Sequence, residues 1–166
     1  MTIPAVMVDD PLLSIRDGTP EDTSLVADFN RLLALESEGI ALDCTVLHQG
    51  VSAVLEDASK GRYFLAEHGG RVIGQTLITY EWSDWRNGWF WWIQSVYISR
   101  EARRRGVFRR IHDHIMSRAM AASDVCGVRL YVDQHNHSAK EVYSKLGLKR
   151  TGYQFFERVF EGHLSK

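Results

Sequence analysis

Several features that mark specialised classes of protein are absent from this sequence of 166 residues. Its two cysteines, Cys44 and Cys126, lack the spacing of metal ligands. The net charge is −1, whereas a nucleic-acid-binding protein normally carries a broad basic surface. No stretch approaches the ~20 apolar residues of a membrane span, and no signal peptide precedes the fold. We therefore expect a cytoplasmic protein that binds no metal, nucleic acid or membrane.

The composition is typical of a globular protein. Apolar residues make up 45% of the chain and charged residues 25%, and the length suits one domain over residues 1–166. No internal repeat, low-complexity tract or linker divides the sequence. We expect residues 1–10 to form a loose N-terminus.

Hydrophobic periodicity predicts a mixture of strands and helices. Hairpins come early, with a tight turn at Gly69–Gly70, and a strand–helix–strand unit comes late. This pattern predicts a mixed sheet covered by helices, an α/β (α+β) class of fold, and leaves the strand order open. The predicted strands cover Leu12–Arg16, Tyr63–Glu67, Arg71–Trp82, Trp89–Ile98 and Val128–Asp133, the stretch Thr151–Phe160 is rich in strand formers, and helices begin near Thr19, Thr45, Gly106 and Ser138.

The segment from Gln94 to Ala119 combines a strand, a short basic loop and an amphipathic helix. Three arginines, Arg103–Arg105, and then Gly106 stand at the entrance to the helix. The start of a helix carries unpaired backbone N–H groups and the positive end of the macrodipole, and a glycine lets a phosphate approach closely. The segment therefore predicts a phosphate-binding loop. A solvated basic turn before an ordinary helix explains the loop equally well when it is considered alone.

A second pattern follows the strand that ends near Asp133. Ala139 and Tyr143 are four residues apart on one helix face, so the small side chain leaves room beside the ring. Gly147 stands where a left-handed helix stop is needed. Taken alone, Tyr143 is better explained as a core aromatic with its hydroxyl at the rim.

Together these two segments resemble motifs A and B of the GNAT superfamily of acetyl-CoA-dependent N-acetyltransferases. Motif A is a glutamine or arginine, two free positions, a glycine, one free position and a glycine or alanine; Arg103 and Gly106 match it, and Phe108 departs from it. Motif B is matched by Asn136, Ala139, Tyr143 and Gly147, while Leu148 replaces the usual phenylalanine. The resemblance covers roughly residues 63–148.

The resemblance implies a fold and a cosubstrate. The implied fold is a mixed central β-sheet, flanked by helices, that splays open between its fourth and fifth strands. Acetyl-CoA is implied as the cosubstrate, with its pantetheine arm on the backbone of Val96 and Ile98 and with Tyr143 as general acid facing the sulfur. The remaining cofactor-binding residues implied by the family are Arg103, Arg104, Arg105, Gly106, Val107, Phe108, Arg109 and Asn136.

No general base is evident from the sequence. Many family members use a glutamate on or near the fourth strand, but this strand offers only Gln94, whose amide cannot take a proton. The candidates are Glu81 after the third strand, Asp84 in the following loop and Asp133 after the fifth strand. His135 and His137 have suitable unperturbed pKa values for proton transfer, although exposed loop histidines are the simpler interpretation.

An aromatic cluster surrounds the turn between the third and fourth strands. In a strand Trp89 and Trp91 share one face and Phe90 and Trp92 share the other, so about half of the rings belong to the core. We predict that Trp85, with Glu81 and Asp84 nearby, binds a cationic acceptor through cation–π contacts. A homodimer interface is an equally good use for exposed aromatic rings.

Three functions remain open from the sequence. The first is acetyl transfer to a small amine, cationic or amino-acid-like. The second is acetyl transfer to a protein N-terminus or lysine. The third is a non-catalytic acyl-CoA-binding module, which the absence of an evident base keeps open and Tyr143 argues against.

Overall fold

A computed structural model of the chain describes residues 10–160. The predicted loose N-terminus, apart from Asp10, lies outside these residues. The chain divides at Leu130 into two compact units, and each is described by itself below. The single domain over residues 1–166 stays a prediction.

Five strands and four α-helices make up the described chain, with short 3₁₀ turns at Pro20–Asp22 and Arg100–Ala102. In chain order the elements are β1 (Leu13–Asp17), α1 (Thr23–Glu38), α2 (Cys44–Glu56), β2 (Arg62–His68), β3 (Arg71–Ser83), β4 (Gly88–Ile98), α3 (Val107–Ala121), β5 (Val125–Leu130) and α4 (His137–Lys145).

The predicted boundaries of two elements were wrong. Helix α2 is capped by Asp43 and not by Thr45, because the Asp43 carboxylate accepts hydrogen bonds from the backbone N–H groups of Thr45 and Val46. Strand β5 spans Val125–Leu130 and not the predicted Val128–Asp133, although the alternation of apolar residues continues to Val132. Residues 151–160 form neither a helix nor a strand.

The sheet is mixed, as predicted. Its strand order is β1-β2-β3-β4-β5, and every neighbouring pair is antiparallel except β4 and β5, which are parallel. Helix α3 crosses over between these two strands, since a parallel pair cannot be joined by a hairpin. No helix of the described residues is long and apolar enough to cross a membrane.

The pairing of β4 with β5 stops before β4 ends. The last pair is Ile93 with Leu130, and β4 continues to Ile98 with no β5 residue opposite it in the described chain. On its other edge β4 carries a β-bulge, where Ser95 and Val96 together face Thr76. Ser95 has a φ of 49°, a left-handed conformation that is uncommon for serine. The sheet therefore opens between strands 4 and 5 where the backbone of β4 is distorted.

The two faces of the sheet pack against different helices. On one face Ile111 and Ile115 of α3 are fully buried against Phe64 and Ile78. Tyr80 and Trp91 also pack on this face, as the alternation of β4 predicted. On the other face α1 and α2 cover a smaller cluster whose buried members are Val26, Ala27, Val51, Tyr63 and Leu65.

Candidate functional site

The loop before α3 has the backbone shape of an anion site. Arg104 and Gly106 both adopt left-handed conformations, with φ of 62° and 78°. Gly106 is the N-cap of α3 and has no side chain to cap it, and the first i→i−4 hydrogen bond of the helix runs from the Arg110 N–H to the Gly106 carbonyl. The N–H groups of the first turn, from Val107 to Arg109, precede that bond, so the positive end of the helix dipole faces this loop.

The first arginine of the loop is bonded to two other elements. Its Nε atom donates to the carbonyl of Ile98 at 2.9 Å, and its Nη2 atom donates to Glu36 of α1 at 2.6 Å. The Arg103 guanidinium also lies 5.5 Å from the ring centroid of Tyr97. Arg103 therefore joins the end of β4 to α1, a role that the sequence motif did not indicate.

Glu36 is the centre of this connection. Besides Arg103 it accepts hydrogen bonds from Arg100 Nε at 3.1 Å and from the Tyr97 hydroxyl at 3.3 Å. The hydrogen bond from Arg103, followed by that from Arg100, holds the pKa of the Glu36 carboxyl below its ordinary value. Glu36 is thus a charged anchor for the arginine loop.

A cavity of about 240 Å³ opens between α1, the segment after it, α2 and the bulge of β4. Apolar side chains form much of its wall, and Asn30, Ser37, Glu38 and Ser95 are its polar members. No sequence motif pointed to these residues, and the only local signal was the adjacent polar pair Gln94 and Ser95, which breaks the alternation of β4. The complete lining is Asn30, Leu33, Ala34, Ser37, Glu38, Leu42, Leu47 and Ser95.

A buried chain of hydrogen bonds reaches this cavity from the sheet. Gln75 Nε2 donates to Asn30 Oδ1 at 2.7 Å, and Asn30 Nδ2 donates to the Tyr63 hydroxyl at 2.9 Å. Gln75 is completely buried, and its Oε1 atom has no hydrogen-bond partner among the described residues. Burial also raises the pKa of Tyr63. Asn30 is the member of this chain that lines the cavity.

The predicted amine-binding residues Glu81, Asp84 and Trp85 each make contacts of their own. Glu81 accepts hydrogen bonds from Trp92 Nε1 at 2.6 Å and from Arg129 Nη1 at 2.8 Å, so both of its oxygens are engaged. The Arg129 guanidinium lies 3.5 Å from the ring centroid of Phe90, which is the position expected of a bound cation. An internal arginine therefore occupies the cation–π position beside Glu81.

The other two members of that predicted site lie at the tip of the β3–β4 hairpin. Asp84 accepts a hydrogen bond from the Trp85 backbone N–H at 2.9 Å. The Trp85 side chain is 84% exposed. Neither Asp84 nor Trp85 has a hydrogen bond to Glu81 among the described contacts, so each belongs to the local turn.

In the second unit, the motif residues shape helix α4. The Asn136 side chain accepts the Ala139 N–H at 3.0 Å and so caps the helix. At the other end Gly147 has a φ of 85°, and the Leu148 N–H donates to the Tyr143 carbonyl at 3.0 Å. Tyr143 is half-buried, and burial raises the pKa of its hydroxyl. Asp133 Oδ1 accepts the His135 N–H at 2.7 Å, which fixes the turn before the helix.

The described residues offer no evident metal site. Within residues 10–160 no group of three or more His, Cys, Asp or Glu side chains is arranged to hold a metal ion.

Comparison with known proteins points to one family. Residues 29–148 match the model of the Acetyltransferase (GNAT) family. The chain is 41% identical to a possible acetyltransferase from Clostridium difficile 630, whose crystal structure it matches with a TM-score of 0.85 over 90% of this chain and 98% of that one. No curated protein matches the sequence.

Two more distant structures share the fold. A predicted acetyltransferase from Clostridium acetobutylicum, crystallised with acetyl-CoA, matches with a TM-score of 0.72 at 18% identity, over 92% of this chain and 99% of that one. The ribosomal-protein-alanine N-acetyltransferase of Brucella melitensis biovar Abortus 2308 matches with a TM-score of 0.71 at 13% identity, over 89% and 99% of the two chains.

Proposed function

Because the chain belongs to the acetyltransferase (GNAT) family of acyltransferase enzymes, we propose that it transfers the acetyl group of acetyl-CoA to a small, cationic primary amine. One observation carries this proposal. The sheet opens past the Ile93–Leu130 pair, and the bulge residue Ser95 at that opening also lines the cavity under α1. A cosubstrate on β4 and an amine in the cavity would therefore meet at the bulge.

The residues around the opening fit acetyl-CoA, which supplies an activated acetyl thioester. The left-handed turn at Arg104 and Gly106 and the first N–H groups of α3 suit its diphosphate. The backbone of Val96 and Ile98, beyond the last β5 pair, suits the amides of the pantetheine arm. Arg103, Arg105 and Arg109 add positive charge near this loop, and we assign Asn136 and Tyr143 to the cofactor side as the family motif implies.

The cavity suits a small amine. Its volume of about 240 Å³ is below the ~300–1,000 Å³ of pockets for drug-sized ligands. Glu38 is the one charged residue of its lining, and no Lys, Arg or His is found among the described lining residues. This balance favours a cation with an apolar body. We prefer this cavity to the predicted site at Trp85, Glu81 and Asp84, because Arg129 occupies the cation position there.

The reaction needs three functions from the protein. The amine nitrogen must lose a proton before it forms a C–N bond with the acetyl carbon, and Glu38 is the carboxylate that lines the amine cavity. The acetyl oxygen gains negative charge as the bond forms, which backbone N–H groups at the β4 bulge are suited to stabilise. As the C–S bond breaks, the nitrogen gives up a second proton to solvent, and we assign protonation of the departing thiolate to Tyr143, whose hydroxyl is protonated at neutral pH and regains its proton from solvent.

Glu81 and Asp133 serve other purposes in this scheme. Glu81 orients Arg129 and Trp92, and Asp133 orders the turn before α4. Both were candidates for the general base, and neither carboxylate is needed for proton removal if Glu38 acts.

The test is release of free CoA thiol from acetyl-CoA across a panel of polyamines, aminoglycosides, amino acids and short peptides. We expect amine-dependent release that falls about 10²-fold or more in Tyr143→Phe, the usual contribution of a general acid. Tyr153→Phe, which removes an exposed hydroxyl from the same unit, is the matched control and should keep the full rate. Release with peptides alone would replace the small amine by a polypeptide acceptor, and failure to bind acetyl-CoA would refute the proposal.

A further inference from the structure

The cavity under α1 is lined by the side-chain amide of Asn30, whose orientation is fixed by hydrogen bonds to residues of the sheet. Asn30 receives a hydrogen bond from Gln75 and donates one to Tyr63, at 2.7 and 2.9 Å. Both partners are nearly or completely buried, at 0% and 3% exposure, so they cannot swing away into solvent. Because one contact uses the oxygen and the other the nitrogen of the Asn30 amide, its two ends are distinguished.

A glutamine in the centre of a sheet is costly unless its polar atoms are bonded. Gln75 pairs with Leu65 on one side and with Tyr97 on the other, in a region that is otherwise largely apolar. An apolar residue would satisfy this position more simply if packing were its only purpose. We infer that Gln75 serves to hold the Asn30 side chain through its hydrogen bond.

Several polar atoms in the cavity lining or bonded to it keep free hydrogen-bond acceptor capacity. Gln75 Oε1 has no partner among the described residues, and Asn30 Oδ1 has a second lone pair. The Ser37 hydroxyl donates its hydrogen to the Leu33 carbonyl at 2.8 Å, which leaves only acceptor capacity at its oxygen. The Glu38 carboxylate adds negative charge. The cavity is therefore complementary to a ligand that brings N–H donors and positive charge.

The lining of the cavity also has an apolar part. Leu33, Ala34, Leu42 and Leu47 belong to the same lining as Ser95 and Asn30. A ligand that places one amino group at Ser95 and a second donor at Asn30 would cover this wall with methylene groups, whose burial is favourable. An α,ω-diamine has this pattern of donor, apolar chain and donor.

We propose that Asn30, held by Gln75 and Tyr63, is the specificity-determining residue of the acceptor site and selects α,ω-diamines over monoamines. The inference rests on the proposed function of the cavity as the amine site. The reacting amino group lies at the bulge, and the second, protonated amino group donates to Asn30 Oδ1.

The test compares matched pairs of amines. Each diamine from ethylenediamine to cadaverine is compared with the alkylamine in which a methyl group replaces the distal amino group, and kcat/KM is measured from thiol release. For the best chain length we expect the wild-type enzyme to prefer the diamine by about tenfold or more, as for a hydrogen bond to a charged group.

Substitutions at Asn30 should move this preference in opposite directions. Asn30→Leu, which keeps the size and removes both polar atoms, should reduce the preference to within about twofold, mainly through the KM of the diamine. Asn30→Asp adds a charge and should increase it. Asp28→Asn changes the charge of an exposed residue on the same helix, which lies outside this cavity lining, and should leave the preference unchanged.

Tyr63→Phe gives a test that does not depend on the Asn30 variants being folded. It removes one hydroxyl from the hydrogen-bond chain and should lower the preference part of the way. Thermal unfolding and acetyl-CoA binding of each variant separate a loss of fold from a loss of selectivity.

Three results would overturn the inference. These are equal use of diamines and monoamines by the wild-type enzyme, an unchanged preference in Asn30→Leu, and a preference for 3-methoxypropylamine, whose distal oxygen is an acceptor. The last result would mean that the Asn30 amide presents its N–H to the cavity. Absence of thiol release with every amine would instead refute the proposed function itself.

Discussion

Glu36 Oε2 lies 2.6 Å from Arg103 Nη2, and this ion pair joins α1, which lines the proposed acceptor cavity, to the loop before α3. The two residues belong to the two halves of the proposed reaction site. Residues Ser37 and Glu38, next to Glu36, line the cavity, while Gly106 follows Arg103 in the loop. A substitution on the cavity side is therefore expected to alter the loop before α3, and a substitution in the loop is expected to alter the cavity.

We predict that Glu36→Gln lowers stability at neutral pH and that its effect disappears in acid. The folded pKa of Glu36 is below its ordinary value of 4.5, so its contribution is complete above that value and is lost as the pH falls through the folded pKa. Melting temperatures of wild type and variant should therefore converge as the pH falls below 4.5 and through the folded pKa. Glu101→Gln, which breaks an exposed pair with Arg71, is the control and should have little effect at either pH. A gap between wild type and Glu36→Gln that persists in acid would contradict this prediction.

We predict that Gly106→Ala weakens acetyl-CoA binding and lowers stability. The φ of 78° at Gly106 costs a residue with a Cβ about 1–2 kcal/mol, which corresponds to a few degrees in melting temperature for a chain of this size. The KM for acetyl-CoA should rise because the loop would relax away from this conformation. Gly50→Ala in α2 is the matched control, since no atom would meet its Cβ within 4 Å and its φ is not positive. An unchanged KM for acetyl-CoA in Gly106→Ala would exclude the loop from cofactor binding.

We predict that Trp85→Ala leaves the KM for the amine within about twofold of wild type, the scale of a surface substitution. The ring is 84% exposed, and the cation position near Glu81 is filled by Arg129. Glu38→Gln should instead raise the amine KM or lower kcat, because it removes the one carboxylate of the cavity lining. Steady-state kinetics with varied amine measure both effects. A raised amine KM in Trp85→Ala together with unchanged kinetics in Glu38→Gln would instead support an amine site at the tip of the hairpin.

We predict that His114→Leu reduces the loss of stability on acidification. His114 packs at 5.1 Å from the ring of Phe64, and burial, with Arg118 nearby, lowers its pKa. A histidine that stays neutral in the folded state contributes stability above its unfolded pKa of ~6.5, and this is lost as the pH falls below that value. Between about pH 7 and pH 5, the free energy of unfolding should therefore decline less in the variant than in wild type. His48→Leu, which removes an exposed histidine from α2, is the control. Its free energy of unfolding should decline with pH as that of wild type does.

The sequence predicted the elements of the fold and their class because these depend on local patterns. The apolar stripe of α3, the alternation of β4 and the turn at Gly69–Gly70 can each be read within a few neighbouring residues. The same holds for the glycine that begins α3. The family motif then supplied the opening between β4 and β5, which periodicity alone does not give.

The acceptor side could not be predicted because it depends on contacts between distant parts of the chain. Glu36 and Arg103 are 67 residues apart, and Asn30 and Gln75 are 45 apart. Arg129 reaches Glu81 across 48 residues, and no local pattern shows that an internal guanidinium fills the place expected for a substrate. The bulge at Ser95 is likewise a consequence of pairing with β3, where Thr76 faces two residues.

The order of strands in the sheet has a consequence for how the chain folds. Strands β2, β3 and β4 are joined by short turns, so their pairing closes small loops at low entropic cost. Strand β5 can pair with β4 only after the α3 crossover has formed, and β1 is separated from its partner β2 by α1 and α2 in the sequence. We therefore expect pulse-labelled hydrogen exchange to show the β2–β4 meander protected first. The edge on which the opening is built would be added afterwards, so the proposed reaction site would be among the last regions to gain its native shape.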